Sequence, residues 1–279
     1  MKRGLRNEGG LIAAVLADPA RAHDLDAAGW SMLIGQARNA DMLGQLHFRL
    51  ASGGALGCAP QAARRHLDLA WELSCRHRDA VRWEVFHIAT ALRKLDVPVV
   101  LLKGAAYCLG ALPAAEGRVF NDVDIMVPHA ALTAVEYALL DAGWIPQVAN
   151  DYDQRYYRTW MHELPPLKHM KRGTVLDVHH AIMPLTARLK PDSDLLLASA
   201  RPVGDDPRIQ VLCPADMVLH SAAHLFHEGD LELGLRGLVD LDALLREFAV
   251  QPGFWTELLS RARALQLEWP LHQALRYAG

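Results

Sequence analysis

The chain has 279 residues, of which 51% are apolar and 22% charged, and its net charge is −3 with histidines neutral. That length suits one large domain or two packed ones with a real core, and the composition excludes long disorder. The charge balance argues against a bulk electrostatic grip on nucleic acid, and no apolar run approaches the ~20 residues that cross a bilayer. At the N-terminus, Met1-Lys2-Arg3 and the apolar run Leu11 to Ala17 have the outline of a signal peptide. Glu8 and Gly9-Gly10 precede the run and Asp18-Pro19 ends it, so it reads as an amphipathic helix. Leu43, Leu46 and Leu50, then Ala62, Leu67, Leu69 and Trp71, recur close to a helical face. Residues 1–95 are therefore expected to be an N-terminal helical region of three or four helices, the last from about Gln61 to Leu95. Cys58, Cys75, Cys108 and Cys213 form no CxxC pair, which fits reduced thiols in a cytoplasmic protein.

The texture changes at Val99-Val100-Leu101-Leu102, a buried-strand pattern that ends in Lys103-Gly104 and a small-residue helix, Ala105 to Ala111. A loop from Pro113 to Asn121 leads to a second strand, Asp122 to Val127, and then to an amphipathic helix, Ala130 to Ala142, closed by Gly143. Trp144 to Val148 is weakly strand-like, and Pro146 confines it to an edge. Tyr156 to Trp160 reads as a further strand. Leu167 to Met170 and Thr174 to His180 flank Lys171-Arg172-Gly173, a hairpin signal. After Pro184 the pattern is helical, and Leu271 to Tyr277 runs on without a stop signal. The expected fold class is α+β: a small mixed sheet over residues 96–185, flanked by helical regions over 1–95 and 186–279.

Asp122 and Asp124 lie two apart on a strand, so both project from one face while Val123, Ile125 and Val127 take the other. Two carboxylates that close are unfavourable without a cation between them, and paired hard oxygens suit Mg²⁺ together with substrate phosphates. Asp177, alone inside Val175-Leu176-Asp177-Val178-His179, would converge on them if its strand pairs beside theirs. Three carboxylates can hold two metal ions for an in-line phosphoryl displacement. The competing reading makes Asp122 and Asp124 turn residues and leaves Asp177 on an exposed strand. Lys103-Gly104 at a strand end, opening a helix, suits phosphate binding but is far poorer in glycine than a Walker loop.

Taken together, Leu101-Leu102-Lys103-Gly104-Ala105-Ala106, Arg118-x-x-x-Asp122-Val123-Asp124-Ile125-Met126-Val127, His162-Glu163-Leu164-Pro165-Pro166-Leu167 and Leu176-Asp177-Val178-His179 resemble a family. It is the uncharacterised nucleotidyltransferase family of the DNA polymerase beta-like superfamily. The block His220-x-x-x-His224 with Arg236 and Asp240 also resembles it, so the likeness covers about residues 95–245. The resemblance implies a nucleotidyltransferase core, two Mg²⁺ ions and a nucleoside triphosphate donor, with ATP the first expectation. It implies an acceptor hydroxyl on a small molecule or a peptide, ribosomally made peptides included. Gly104-Ala105 stands where the superfamily usually has Gly-Ser or Gly-Gly, so a hydroxyl contact to phosphate is absent.

The resemblance makes Asp122, Asp124 and Asp177 the metal ligands and catalytic carboxylates, with Asp177 also placed to deprotonate the acceptor. Lys103 and Gly104 would hold the triphosphate, and Arg118 would touch phosphate or brace the loop through a salt bridge. His179 and His162 would contact substrate or serve as hydrogen-bonded structural histidines. His220 and His224 share a helical face, without the HExxH pattern of a zinc site, and are read as a polar network with Asp240. Lys168, Lys171 and Arg172 are a solvated turn or an anion contact. Three other functions compete: phosphoryl transfer in the same cleft, a non-catalytic module of toxin–antitoxin type, and RNA modification, which the acidic balance disfavours.

Overall fold

The computed structural model describes residues 10–147, 150, 155, 157, 159–227 and 234–278. The chain divides into two compact units. The first comprises Met1–Asp79, Ala115–Val119 and Asp230–Gly237; the second comprises Ala80–Ala114, Phe120–Gly229 and Leu238–Gly279.

The first unit is helical. Helices α1 (Leu11–Ala17), α2 (Ala27–Asn39) and α3 (Leu43–Ser52) precede the long α4 (Gln61–Ala91), most of which lies in this unit. The apolar N-terminal run is a helix that buries Leu11, Ile12, Val15 and Leu16. On α2, Trp30, Leu33, Ile34 and Ala37 fall at i, i+3, i+4 and i+7, which places them on one buried stripe. The Asp26 carboxylate caps that helix, accepting from the Gly29 N–H at 2.8 Å. The segment Ala115–Val119 approaches α3 so closely that a Cβ on Gly44 would lie 2.3 Å from the Gly117 carbonyl oxygen. Only glycine fits there.

The second unit is built on a seven-stranded sheet: β1 (Val99–Leu101), β2 (Asp122–Met126), β3 (Trp144–Pro146), β4 (Leu167–His169), β5 (Val175–His179), β6 (Arg201–Pro202) and β7 (Ile209–Val211). Their order is β3-β4-β5-β2-β1-β7-β6. The β2–β5 and β1–β7 pairs are parallel and the others antiparallel, so the sheet is mixed and the fold α+β. Both edge strands carry a proline, Pro146 and Pro202, where a missing N–H breaks no ladder. Helices α5 (Lys103–Leu109) and α6 (Leu132–Asp141) follow β1 and β2. The C-terminal part is α7 (Ser193–Ser199), α8 (Pro214–His227), α9 (Gly234–Phe248), α10 (Phe254–Ala264) and α11 (Glu268–Tyr277), with α8 packed on α10 and α11. Arg261 on α10 makes two short bonds to the fully buried Asp216 on α8, at 2.8 and 2.6 Å, and Ser199 donates a third. Among the described residues, no helix is long and apolar enough to cross a membrane.

The segment Tyr156 to Trp160, expected as a strand, is not one: Tyr157, Thr159 and Trp160 are helical, while Tyr156 and Arg158 lie outside the described residues. Its alternating aromatics suggested a half-buried strand, yet Trp160 is 53% exposed. The position beside β5 is taken by β4 and by a Glu163–His179 bridge. The region after Pro184 is not wholly helical either, because β6 and β7 extend the sheet on the far side of β1. A three-residue strand such as Ile209–Val211 is too short to set up a period, and it exists only because β1 offers a parallel edge.

The expected hairpin is present as β4–β5, with Gly173 at φ +73° in its turn. Arg172 is not a solvated turn residue, and the anion it contacts is a carboxylate of this chain. Its guanidinium grips the buried Glu84 carboxylate of α4 at 2.7 and 2.9 Å, lies 4.8 Å over the Trp144 ring, and Thr174 also donates to Glu84. Removing one partner of such a pair strands a buried charge, which costs about 3 kcal/mol. Arg172→Met is expected to lower the melting temperature by about 6–12 °C, and adding Glu84→Met to restore most of it. Thermal denaturation of the two variants checks this; a shift below about 2 °C for the single variant would show that the pair does not anchor the hairpin.

Candidate active site

Strand alternation fixes the site before any side chain moves. On β2, Asp122, Asp124 and Met126 point to one face of the sheet, while Val123 and Ile125 are buried on the other. The parallel register sets Asp122 against Val175, Asp124 against Asp177 and Met126 against His179. Opposed residues of a parallel pair share a face, so Asp122, Asp124, Asp177 and His179 are gathered on one side, with Leu176 and Val178 fully buried on the other. Asp122 is exposed at the start of its strand, Asp124 is 4% exposed, and Asp177 is half-buried.

Asp124 is the hub. Its Oδ1 accepts from Lys103 Nζ at 3.1 Å and from His179 Nε2 at 3.0 Å. Lys103 reaches it from the β1–α5 junction, where its own backbone sits at φ +43°, an uncommon conformation for a residue with a side chain. The other His179 nitrogen, Nδ1, lies 3.2 Å from Glu163 Oε2. Glu163 comes from the loop before β4 and pairs with His179 as an isolated antiparallel bridge. The His162 ring lies 5.2 Å from that of His179.

These groups set one another's protonation. Burial alone would raise the Asp124 carboxyl, but the charge of Lys103 and the His179 hydrogen bond outweigh it and hold Asp124 well below the usual carboxylate range. An ionised Asp124 can only accept, so His179 Nε2 carries the hydrogen. Burial, with the charges of Asp124 and Glu163 added, pushes the Asp177 carboxyl up to about 7 against the pull of His179. Asp177 Oδ1 is also buried without a hydrogen-bond partner. Burial raises Glu163 too, and it drives His162 down to about 3, helped by nearby cationic groups. A cavity of about 560 Å³ opens on the cluster, lined by Lys103, Asp124, Met161, His162, Glu163, Asp177, His179, Pro184, Thr186, Ala187 and His227. That volume is in the range of small-molecule sites.

Lys103, Asp124, Asp177, His162 and His179 thus meet at one cavity, with Asp122 beside Asp124 on the same strand face. Gly104 is buried at the start of α5. His220 is buried on α8; burial, with Lys103 and His224 nearby, keeps it well below its ordinary value and hence neutral. His224 lies one turn further along α8, and Asp240 is buried on α9. Arg118 belongs to the first unit, on the segment Ala115–Val119. Glu163 was not among the residues expected to act, although it stands next to His162. Its place beside His179 depends on a bridge between segments that no local pattern encodes.

The mixed sheet thus aligns three carboxylates on one face beside a lysine. A family model described as "Uncharacterised nucleotidyltransferase" matches residues 26–279, and the chain belongs to that family. It is an enzyme of the nucleotidyltransferase type. No curated protein matches the chain. Among solved structures, the antibiotic-resistance factor ANT(2'')-Ia matches 71% of this chain and 99% of its own, at 13% identity and a TM-score of 0.44. An antigenic nucleotidyltransferase-like protein from Paracoccidioides brasiliensis matches 74% of this chain and 93% of its own, at 14% identity and a TM-score of 0.35.

The raised Asp177 gives a stability signature. Its carboxyl is near 3.8 when unfolded and about 7 when folded, so the folded state binds more protons between those values. Its contribution is favourable at low pH and is lost as pH rises towards 7. In the presence of a chelator, Asp177→Asn is therefore expected to melt a few degrees above wild type at pH 8, with the gain growing from pH 4 to 7 and then levelling off. Melting curves of both proteins across pH 4–8 check this, and a pH-independent difference would contradict it.

Proposed function

We propose that the protein is a Mg²⁺-dependent nucleotidyltransferase that moves a nucleotidyl group from a nucleoside triphosphate, ATP being the first candidate, to a hydroxyl on a small-molecule or peptide acceptor. The observation that carries the reading is the Asp124–Asp177 register, which brings a third carboxylate beside Asp122 and Asp124 on one face. The donor set fits the metal: all three supply hard oxygens, and Asp177 Oδ1 is a buried acceptor that no hydrogen bond satisfies. Asp122, Asp124 and Asp177 would hold the ions. Bound there, they would neutralise triphosphate charge and stabilise the attacking and leaving oxygens of an in-line displacement at the α-phosphorus.

The chain's own groups do the rest. Lys103 carries a cation to the carboxylate face and offers it to the triphosphate, with the Gly104 backbone next to it at the start of α5. Asp177, on the same face as Asp122 and Asp124, is placed to take the acceptor hydroxyl's proton. His179 fixes the Asp124 carboxylate through a buried hydrogen bond. The neutral His162 lines the cavity as a hydrogen-bonding wall for substrate. The four cysteines are free thiols, which suits a reducing, cytoplasmic setting. A purely protein-binding module would have no use for a buried, unsatisfied carboxylate oxygen, which costs stability.

The test is product formation. Incubated with Mg²⁺, each nucleoside triphosphate and a panel of hydroxyl-bearing small molecules and peptides, the protein is expected to release pyrophosphate and add a nucleotidyl mass to one acceptor. Asp122→Asn and Asp124→Asn should each slow this by about a hundredfold or more. A phosphoryl increment instead would make the protein a phosphotransferase, and turnover unchanged in both variants would remove the carboxylates from the chemistry.

A further inference from the structure

Beside the carboxylates, two histidines hold buried nitrogens that hydrogen bonding does not account for, and a glutamate oxygen lies close to them. One nitrogen each of His162 and His179 and one oxygen of Glu163 lie within 4.8 Å of one another. His162 and His179 are 6% and 3% exposed, and Nδ1 of each is buried without a hydrogen-bond partner. His179 Nδ1 nevertheless sits 3.2 Å from Glu163 Oε2. Close approach without hydrogen-bond alignment is what two ligands of one ion show: bonds of about 2.0–2.1 Å meeting at a tetrahedral angle leave the ligand atoms about 3.3 Å apart.

The ring orientation agrees. His179 turns Nε2 to Asp124 and Nδ1 to the Glu163 oxygen. A carboxylate that accepts from the far nitrogen of a ligating histidine is also the arrangement that orients imidazole on a metal. Glu163, His162 and His179 all line the 560 Å³ cavity. We propose that His162, Glu163 and His179 form a transition-metal site of the Zn²⁺ class, separate in chemistry from the hard-oxygen set of Asp122, Asp124 and Asp177. Two imidazoles and one carboxylate favour Zn²⁺, Co²⁺ or Ni²⁺ over Mg²⁺ and leave a fourth position open to water or a substrate atom in the cavity. Binding there requires neither nucleotide nor the Asp122 carboxylate.

The test uses the untagged full chain, stripped with chelator and titrated with Co²⁺ in the absence of nucleotide. The expected result is about one equivalent bound, with the intense visible absorption of a four-coordinate ion that an excess of Mg²⁺ does not displace. His162→Ala and Glu163→Gln should each weaken this binding more than about tenfold, while Asp122→Asn keeps it. Circular dichroism establishes that each variant is folded, and the conservative Glu163→Gln guards against loss through misfolding. Three results would overturn the site: no stoichiometric Co²⁺ binding by folded wild type, displacement by Mg²⁺, or binding lost in Asp122→Asn.

Discussion

Everything at the site depends on the parallel pairing of β2 with β5 in a register that sets Asp124 opposite Asp177. A slip of β5 by one residue would turn Asp177 to the other face of the sheet, away from Asp122 and Asp124, because side chains alternate with a period of two. The apolar residues prevent that slip. Val123 and Ile125 on β2 and Leu176 and Val178 on β5 are all buried on the opposite face, so the core fixes the register that the charged face uses. Hydrophobic burial in this way holds like charges together that would otherwise repel.

The charged face carries a local cost that the rest of the unit offsets. Asp124 is stabilised by Lys103 and His179, but no hydrogen bond satisfies Asp177 Oδ1, and burial pushes that carboxyl towards the protonated form. Elsewhere, two buried carboxylates are matched by hydrogen bonds: Glu84 by Arg172 and Thr174, and Asp216 by Arg261 and Ser199. The unsatisfied Asp177 oxygen at the cavity contrasts with these matched carboxylates of the scaffold.

Local patterns revealed part of this. Alternation in Asp122 to Val127 placed two carboxylates on one face, the Lys171-Arg172-Gly173 turn marked the β4–β5 hairpin, and Pro146 marked an edge strand. What stayed hidden depends on partners distant in the chain. Strand β7 is short and owes its conformation to β1, which lies more than 100 residues earlier. The helix around Tyr157 and Trp160 has the alternation of a strand but no sheet edge to join. The His179–Asp124 bond spans 55 residues, and Glu163 reaches His179 through a single bridge. The Lys171-Arg172 pair reads as solvated because nothing local shows that Glu84, 88 residues earlier, is buried beneath it.

The central claim is that Asp122, Asp124 and Asp177 bind a divalent cation together with a nucleoside triphosphate. Calorimetric titration of wild type with non-hydrolysable ATP and GTP analogues, with Mg²⁺ and then with chelator, tests it most directly. The account predicts saturable binding of at least one analogue with Mg²⁺ and binding at least about tenfold weaker without it. Equal affinity in both conditions, or no binding of either analogue by folded protein, would contradict it.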